Sequence, residues 1–121
     1  MKSKRTKAVL LHILEDIQDI ENIIRSNSKE IFRTDPILKK AICMSLINIG
    51  ELTHLLHETL IAKYPEIPWG SVIGLRNRVA HGYHVLDIDV VWDIINNDLK
   101  KLKDAISDAY EMIIKTQDSI T

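Results

Sequence analysis

The sequence AICMSLINIGELTHLL, residues 41–56, is unusually apolar for this chain. Its apolar residues recur every three or four positions, and that spacing predicts a helix. A first stripe along this helix consists of Leu38, Ile42, Ile49, Leu52, Leu56 and Leu60. A second, adjacent stripe consists of Ala41, Met44, Asn48, Glu51 and Leu55. A helix with two such faces is predicted to lie at the centre of a bundle or to contact another subunit.

The boundaries of this central helix and of the preceding helix follow from local signals. Asp35 suits the N-cap and Pro36 the first helical position, so the helix is predicted to run from there to about Lys63. Before it, a first amphipathic helix ends at RSNSKE, residues 25–30, because Ser and Asn favour turns. The apolar face of that first helix is formed by Leu10, Ile13, Leu14, Ile17, Ile20 and Ile24.

The second half of the chain predicts a short helix and a long one. YPEIPWGS, residues 64–71, is read as a connection, and SVIGLRNRVA, residues 71–80, as a short helix that Gly82 stops in the left-handed conformation. Asp87 or Asp89 is expected to cap a last helix that runs to about Thr116. No segment alternates as a strand would. We therefore predict an all-α bundle of four to five helices.

Length and composition bound the class of protein. The chain has 121 residues, 45% of them hydrophobic and 27% charged, which fits one folded domain spanning residues 1–121. Its formal net charge of −1 argues against a general electrostatic attraction to nucleic acid, so any RNA contact must be a local patch. No apolar run approaches the roughly 18 residues of a membrane span, and a cytoplasmic location is expected. The single Cys43 is predicted to be a buried structural thiol.

One segment, RNRVAHGYH at residues 76–84, differs in composition from the rest of the chain. Arg76 and His81 lie about 140° apart on a regular helix, so they converge only if the helix ends near Ala80. Together they would suit phosphate chemistry, because Arg binds phosphoryl oxygens bidentately and His transfers protons near neutrality. The alternative is a C-capping His beside a surface Arg.

RNA cleavage through the 2′-hydroxyl needs two proton-transfer groups, and this segment offers one clear candidate, His81. A two-fold homodimer would supply a second copy of Arg76 and His81 across one cleft, because an isologous interface brings the same patch together twice. The second stripe of the central helix would give such a dimer an apolar surface to bury.

RNRVAHGY resembles the R-x4-H-x-Y signature of the HEPN superfamily, in its HepT-like toxin branch. Arg76, Asn77, His81 and Tyr83 match the motif positions, and the resemblance extends upstream through DPILKKAI, INIGEL and IPWGSVIGLRNRVAH. It implies a helical, dimeric, metal-independent ribonuclease that needs no cofactor. It also implies a minimal nucleotidyltransferase antitoxin as partner, which transfers AMP from ATP onto Tyr83. His84 departs from the bulky apolar residue that the family often has there.

Several polar residues admit other interpretations. Glu51 lies at a position resembling the "IGE" of the family, where it either pairs with Arg76 or Arg78 to orient the site or forms a purely structural ion pair. Arg78 lies about 200° round the helix from Arg76, which argues against both binding one phosphate. Trp69 and Trp92 are read as core or interface anchors.

A metal site and a non-catalytic role are the alternatives to a nuclease. Glu51 and His54 form one Glu-x-x-His pair, but a di-iron bundle needs two, and no second pair is present. The remaining zinc candidates are His54, His57, His81 and His84, which lack a familiar ligand spacing, so no metal is expected. The rival function is a helical module that binds a nucleotidyltransferase or a nucleotide and cleaves nothing.

Overall fold

The fold is an all-α bundle, as the sequence predicts. The computed structural model describes residues 2–56, 58–67, 69–82 and 87–120, and no strand occurs among them. The helices are α1 (Lys2–Ser26), α2 (Lys29–Thr34), α3 (Pro36–His54), α4 (Glu58–Ala62), α5 (Trp69–Gly82), α6 (Ile88–Asp93) and α7 (Leu99–Ile120). A π-helical segment, Ile94–Asp98, joins α6 to α7 without a break. Within the described ranges, no helix is both long and apolar enough to cross a membrane.

The core lies around α3, which packs against α1 on one side and α5 on the other, while α1 also packs against α7. The first stripe of α3 faces this core, since Ile42, Ile49 and Leu56 are buried. Cys43 is buried too, and burial raises the pKa of its thiol, as expected for a structural cysteine. The central position of the most apolar helix is therefore confirmed.

Side-chain caps fix the start of α2 and of α3. The Ser28 hydroxyl accepts a hydrogen bond from the Ile31 amide at 3.2 Å and begins α2, a helix that the sequence analysis did not predict. The Asp35 carboxylate accepts from the amides of Ile37 at 2.9 Å and Leu38 at 3.3 Å. The predicted N-cap at Asp35, followed by Pro36 in the first turn, is confirmed.

The central helix is shorter than predicted. It ends at His54 rather than near Lys63, because the chain tightens into two short-range hydrogen bonds, Leu55 N–H to Leu52 O at 3.0 Å and Leu56 N–H to Thr53 O at 3.1 Å. Bonds that reach back only three residues end an α-helix. After this turn α4 begins a separate helix at Glu58.

The helix that carries the RNRVAHGYH segment is longer than predicted. It begins at Trp69, and it continues past Ala80 to include His81 and Gly82. The early helix end that was expected to bring Arg76 and His81 together is therefore not found, and among the glycines whose backbone is described none has a positive φ.

The two aspartates at the start of α6, Asp87 and Asp89, have separate roles. The Asp87 carboxylate accepts from the Asp89 amide at 2.9 Å, so Asp87 is the cap. Asp89 instead pairs with Lys29 and Arg33 of α2, and its hydrogen bond to Lys29 lowers the pKa of the Asp89 carboxyl. The last helix continues to Ile120, a few residues beyond the predicted end.

Both tryptophans pack against the core, which is one of the two roles predicted for them. The Trp69 indole N–H donates to the Tyr64 carbonyl at 2.9 Å, which holds the connection before α5 against the bundle. The Trp92 ring lies 5.9 Å from the buried Phe32 ring, measured between centroids. Both side chains are half-buried and pack against the core.

Candidate functional site

A close approach between α3 and α5 at Gly50 sets the position of Arg76. A Cβ atom built on Gly50 would lie 2.7 Å from the Cβ of Arg76 and 3.3 Å from the carbonyl oxygen of Val72. Carbon atoms pack at about 3.5–4.0 Å, so only glycine lets the two helix backbones come this near. Gly50 therefore places Arg76 directly beside the next residue of α3, Glu51.

The Arg76 guanidinium is held on two of its edges. Its Nε donates to Glu51 Oε1 at 2.6 Å, and its Nη1 donates to Asn77 Oδ1 at 2.7 Å. Within the described part of the chain, Nη2 donates no hydrogen bond. The side chains of Arg76 and Glu51 are 44% and 52% exposed. The result is a fixed, accessible cation whose free edge suits an anionic oxygen.

Three of the five predicted site residues are brought together by this contact, namely Glu51, Arg76 and Asn77. Of the two partners that the sequence left open for Glu51, the structure shows Arg76. His81 lies in the last turn of α5, but its side chain, like that of Arg78, lies outside the described residues. Tyr83, His84 and His57 lie outside the described residues altogether.

The second stripe of α3 forms the surface around this contact. It is exposed over its length, and its apolar members include Met44 and Leu55, each 54% exposed. Ile37, at the start of the same helix, is 77% exposed. In a single chain this leaves a row of large apolar side chains in water on the same helix face as Glu51.

A cleft between α1 and α3 adjoins the ion pair, and sequence reasoning missed it. Its lining is formed by His12, Asp16, Asn48, Glu51 and Leu52, and its volume is about 390 Å³. Burial raises the pKa of the Asp16 carboxyl, with a further contribution from Asp19, so this wall of the cleft is partly shielded from water. The signal available in the sequence was one turn of helix between His12 and Asp16 and another between Asn48 and Glu51.

A second groove lies between the residue 64–67 connection and α7. The Tyr64 hydroxyl donates to Asp108 Oδ2 at 2.9 Å, and desolvation followed by this bond raises the pKa of Tyr64 to about 12. Glu66, Lys101 and Asp104 also line the groove, whose volume is about 480 Å³. None of its lining residues is shared with the Arg76 site.

The candidate metal ligands on α3 do not form a cluster. Glu51 is bonded to Arg76, and among the residues that the structure describes no group of three or more His, Cys, Asp or Glu side chains is arranged to hold a metal ion. His54 is exposed at the end of α3.

Comparison with known proteins shows the family of this chain. The family model described as "Ribonuclease HepT-like" matches residues 13–109, which include Gly50, Glu51 and the whole segment 76–84. A protein of Methanocaldococcus jannaschii named "Putative RNase MJ0127" is 34% identical over 112 residues, covering 89% of this chain and 93% of that protein. "Probable ribonuclease HepT" of Thermococcus cleftensis is 31% identical over 97 residues, covering 80% of this chain and 88% of that protein.

No solved structure matches this chain. The family model nevertheless spans residues 13–109, and both relatives match this chain over most of their own length. The chain therefore belongs to the family of HepT-like ribonucleases.

Proposed function

We propose that this chain is the toxin of a toxin–antitoxin pair, a metal-independent RNA endonuclease that cuts with Arg76 and His81 and is silenced by AMP transfer to Tyr83. The observation that carries the proposal is the Arg76 guanidinium, which Glu51 and Asn77 fix and whose Nη2 bonds no other described residue. A cation in this state binds the non-bridging oxygens of a phosphodiester without first having to be ordered.

The proposed reaction is an attack of the RNA 2′-hydroxyl on the adjacent phosphorus. His81 accepts the hydroxyl proton or protonates the leaving 5′-oxygen, and Arg76 stabilises the extra negative charge of the pentacoordinate phosphate. Glu51 and Asn77 do not touch the reacting atoms, and they act by orienting the guanidinium. The Arg76→Lys variant should therefore lack activity, because a lysine cannot make the Glu51 and Asn77 contacts and present a planar edge at once.

The reaction needs an acid and a base, and we propose that a two-fold dimer supplies both as two copies of His81. The exposed apolar face of α3 supports this, because Met44 and Leu55 flank Glu51 on the surface that a dimer would bury. Met44→Glu should dissociate the dimer in light scattering and lower cleavage, since it buries a charge at the interface. Met112→Glu, on α7 and 47% exposed, is the matched control and should leave the dimer intact.

The central test is growth arrest on expressing this chain alone, together with RNA cleavage by the purified protein. Arg76→Ala and His81→Ala should each abolish both, and a chelator should leave the parent active. Persistent cleavage by His81→Ala in chelator would show that the mechanism is wrong.

The rival, a non-catalytic partner that binds a nucleotidyltransferase or a nucleotide, is favoured by one observation, the formal net charge of −1. Such a module would keep Arg76 as an anion contact and would not need His81. Full biological effect from His81→Ala, with the effect lost in Arg76→Ala, would therefore establish the rival.

We further propose that the cognate nucleotidyltransferase transfers AMP from ATP to Tyr83: the Tyr83 oxygen bonds to the α-phosphorus and pyrophosphate leaves. Each AMP adds a phosphate charge and a bulky nucleoside close in sequence to Arg76, where substrate phosphate binds in the proposed mechanism. Incubation with that enzyme and ATP should raise the mass of the peptide containing Tyr83 by one AMP. Tyr83→Phe should escape both the mass increase and the silencing, and equal modification of the Phe variant would exclude Tyr83 as the acceptor.

A further inference from the structure

The cleft between α1 and α3 shares a residue with the Arg76 site. Glu51 Oε1 accepts from Arg76 Nε at 2.6 Å, and the same side chain lines the cleft with His12, Asp16, Asn48 and Leu52. If a phosphate of an RNA strand lies on the free edge of Arg76, a neighbouring base of that strand can therefore reach the cleft. The cleft volume of about 390 Å³ is at the small end of ligand sites, which suits a single base better than a larger molecule.

The chemistry of the lining selects a base rather than a phosphate. Asp16 and Glu51 bring two carboxylates, which repel phosphate oxygens and accept hydrogen bonds. Asn48 adds an amide that both donates and accepts, and Leu52 gives an apolar surface for a ring face. Unpaired RNA bases are read in such places by hydrogen bonds to their Watson–Crick edge and by packing of their faces.

Among the four bases, guanine has the edge that matches a carboxylate. Its N1–H and N2–H donors are adjacent, so one carboxylate can accept both. Adenine and cytosine offer only an exocyclic amino donor on this edge, and uracil only its N3–H. Asp16 is the better candidate for this contact, because one oxygen of Glu51 is already occupied by Arg76.

We propose that this cleft is a guanine subsite, in which Asp16 accepts from N1–H and N2–H of the base and Asn48 contacts its O6. The subsite rests on the proposed RNA cleavage and adds a substrate preference to it: strands are cut next to a guanosine. The subsite requires that the proposed dimer bury Met44 and Leu55 and leave this cleft open to RNA, and a second copy of this chain covering the cleft is the competing occupant.

The test compares oligoribonucleotides that are identical except at one position, which carries guanosine, inosine or adenosine. Inosine lacks only the N2 amino group. The parent should lose about tenfold in kcat/KM from guanosine to inosine, within the range for one bidentate base contact. Asp16→Asn should bring the guanosine-to-inosine ratio close to one. Asp19→Asn is the matched control, since it removes the same charge from the same helix without lining the cleft, and it should keep the ratio of the parent.

Failure of this inference can be separated from failure of the proposed function. Cleavage without base preference, or a preference that Asp16→Asn leaves unchanged, overturns the subsite alone. Absence of any cleavage overturns the proposed function, and titration with guanosine and inosine 5′-monophosphates then decides the subsite. Tighter binding of the guanosine nucleotide that depends on Asp16 supports it, and equal binding of the two refutes it. Dissociation of a dimer by Asp16→Asn, with the base ratio unchanged, would show that a second copy occupies the cleft.

Discussion

Gly50→Ala is the substitution that best tests how the fold sets the site. The new methyl group would lie 2.7 Å from the Arg76 Cβ, whereas carbon atoms pack at about 3.5–4.0 Å, so α5 must move by roughly 1 Å. The same shift applied to the Arg76–Glu51 contact of 2.6 Å lengthens it to roughly 3.6 Å, beyond hydrogen-bond distance. A displacement of about 1 Å at a catalytic group can cost roughly a hundredfold in rate. Because the proposed mechanism places Arg76 at the reacting phosphate, we expect kcat on RNA to fall by about two orders of magnitude.

The stability of Gly50→Ala should change far less than its activity. Overpacking costs about 1–3 kcal/mol, and the better helix propensity of Ala over Gly returns about 1 kcal/mol. The net loss in unfolding free energy, measured by urea titration, should thus be at most about 2 kcal/mol. Gly74→Ala is the control within α5 itself, because a Cβ there meets nothing within 4 Å, and it should keep activity and gain stability. Parental kcat in a folded Gly50→Ala protein would show that the separation of α3 and α5 does not control Arg76.

Three further predictions concern stability. Phe32→Ala should lower the unfolding free energy in urea by about 3–5 kcal/mol, since Phe32 is 1% exposed and packs on Trp92; a loss below that of an ordinary surface substitution would contradict the core assignment. Thr53→Val should raise it by about 1 kcal/mol, because among the described residues the buried Thr53 hydroxyl has no hydrogen-bond partner, and a loss of stability would reveal one. Because the folded pKa of Tyr64 is about 12, above its ordinary value, the stability that Tyr64 contributes is complete below pH ~10 and is lost as pH rises through the folded pKa. Urea titrations across that range should show a steeper decline of the unfolding free energy in the parent than in Tyr64→Phe.

Local chemistry made part of the fold predictable. The cap at Asp35 and the proline after it act on adjacent backbone groups, so the start of α3 could be read from four consecutive residues. The end of α3 could not be read, because residues 51–64 contain neither Gly nor Pro and the apolar period continues through the turn at Leu55. At this point tertiary packing decides between one helix and two. The burial of Leu56 in the core is the visible result of that packing.

The candidate site likewise has one part that the sequence could predict and one part that it could not. Arg76 and Asn77 are neighbours in the chain, and the sequence limited the partner of Glu51 to Arg76 or Arg78. The association of these residues could therefore be predicted as a choice between two ion pairs. His12 and Asp16 join the site only because α1 lies against α3 in one particular register. No spacing within a single helix encodes that register. The cleft consequently had no signature in the sequence strong enough to separate it from an ordinary polar helix face.

The dependence of the site on the core follows from two consecutive residues of α3. Gly50 is buried and sets how near α5 can come, while Glu51, about 100° further round the helix, lies at the surface and bonds the arginine that α5 delivers. A change in core volume beneath Gly50 would therefore act on the guanidinium through the separation of the helices, without touching either charged group. Because the contact tolerates less than about 1 Å, the activity of this chain should be more sensitive to repacking between α3 and α5 than its stability is.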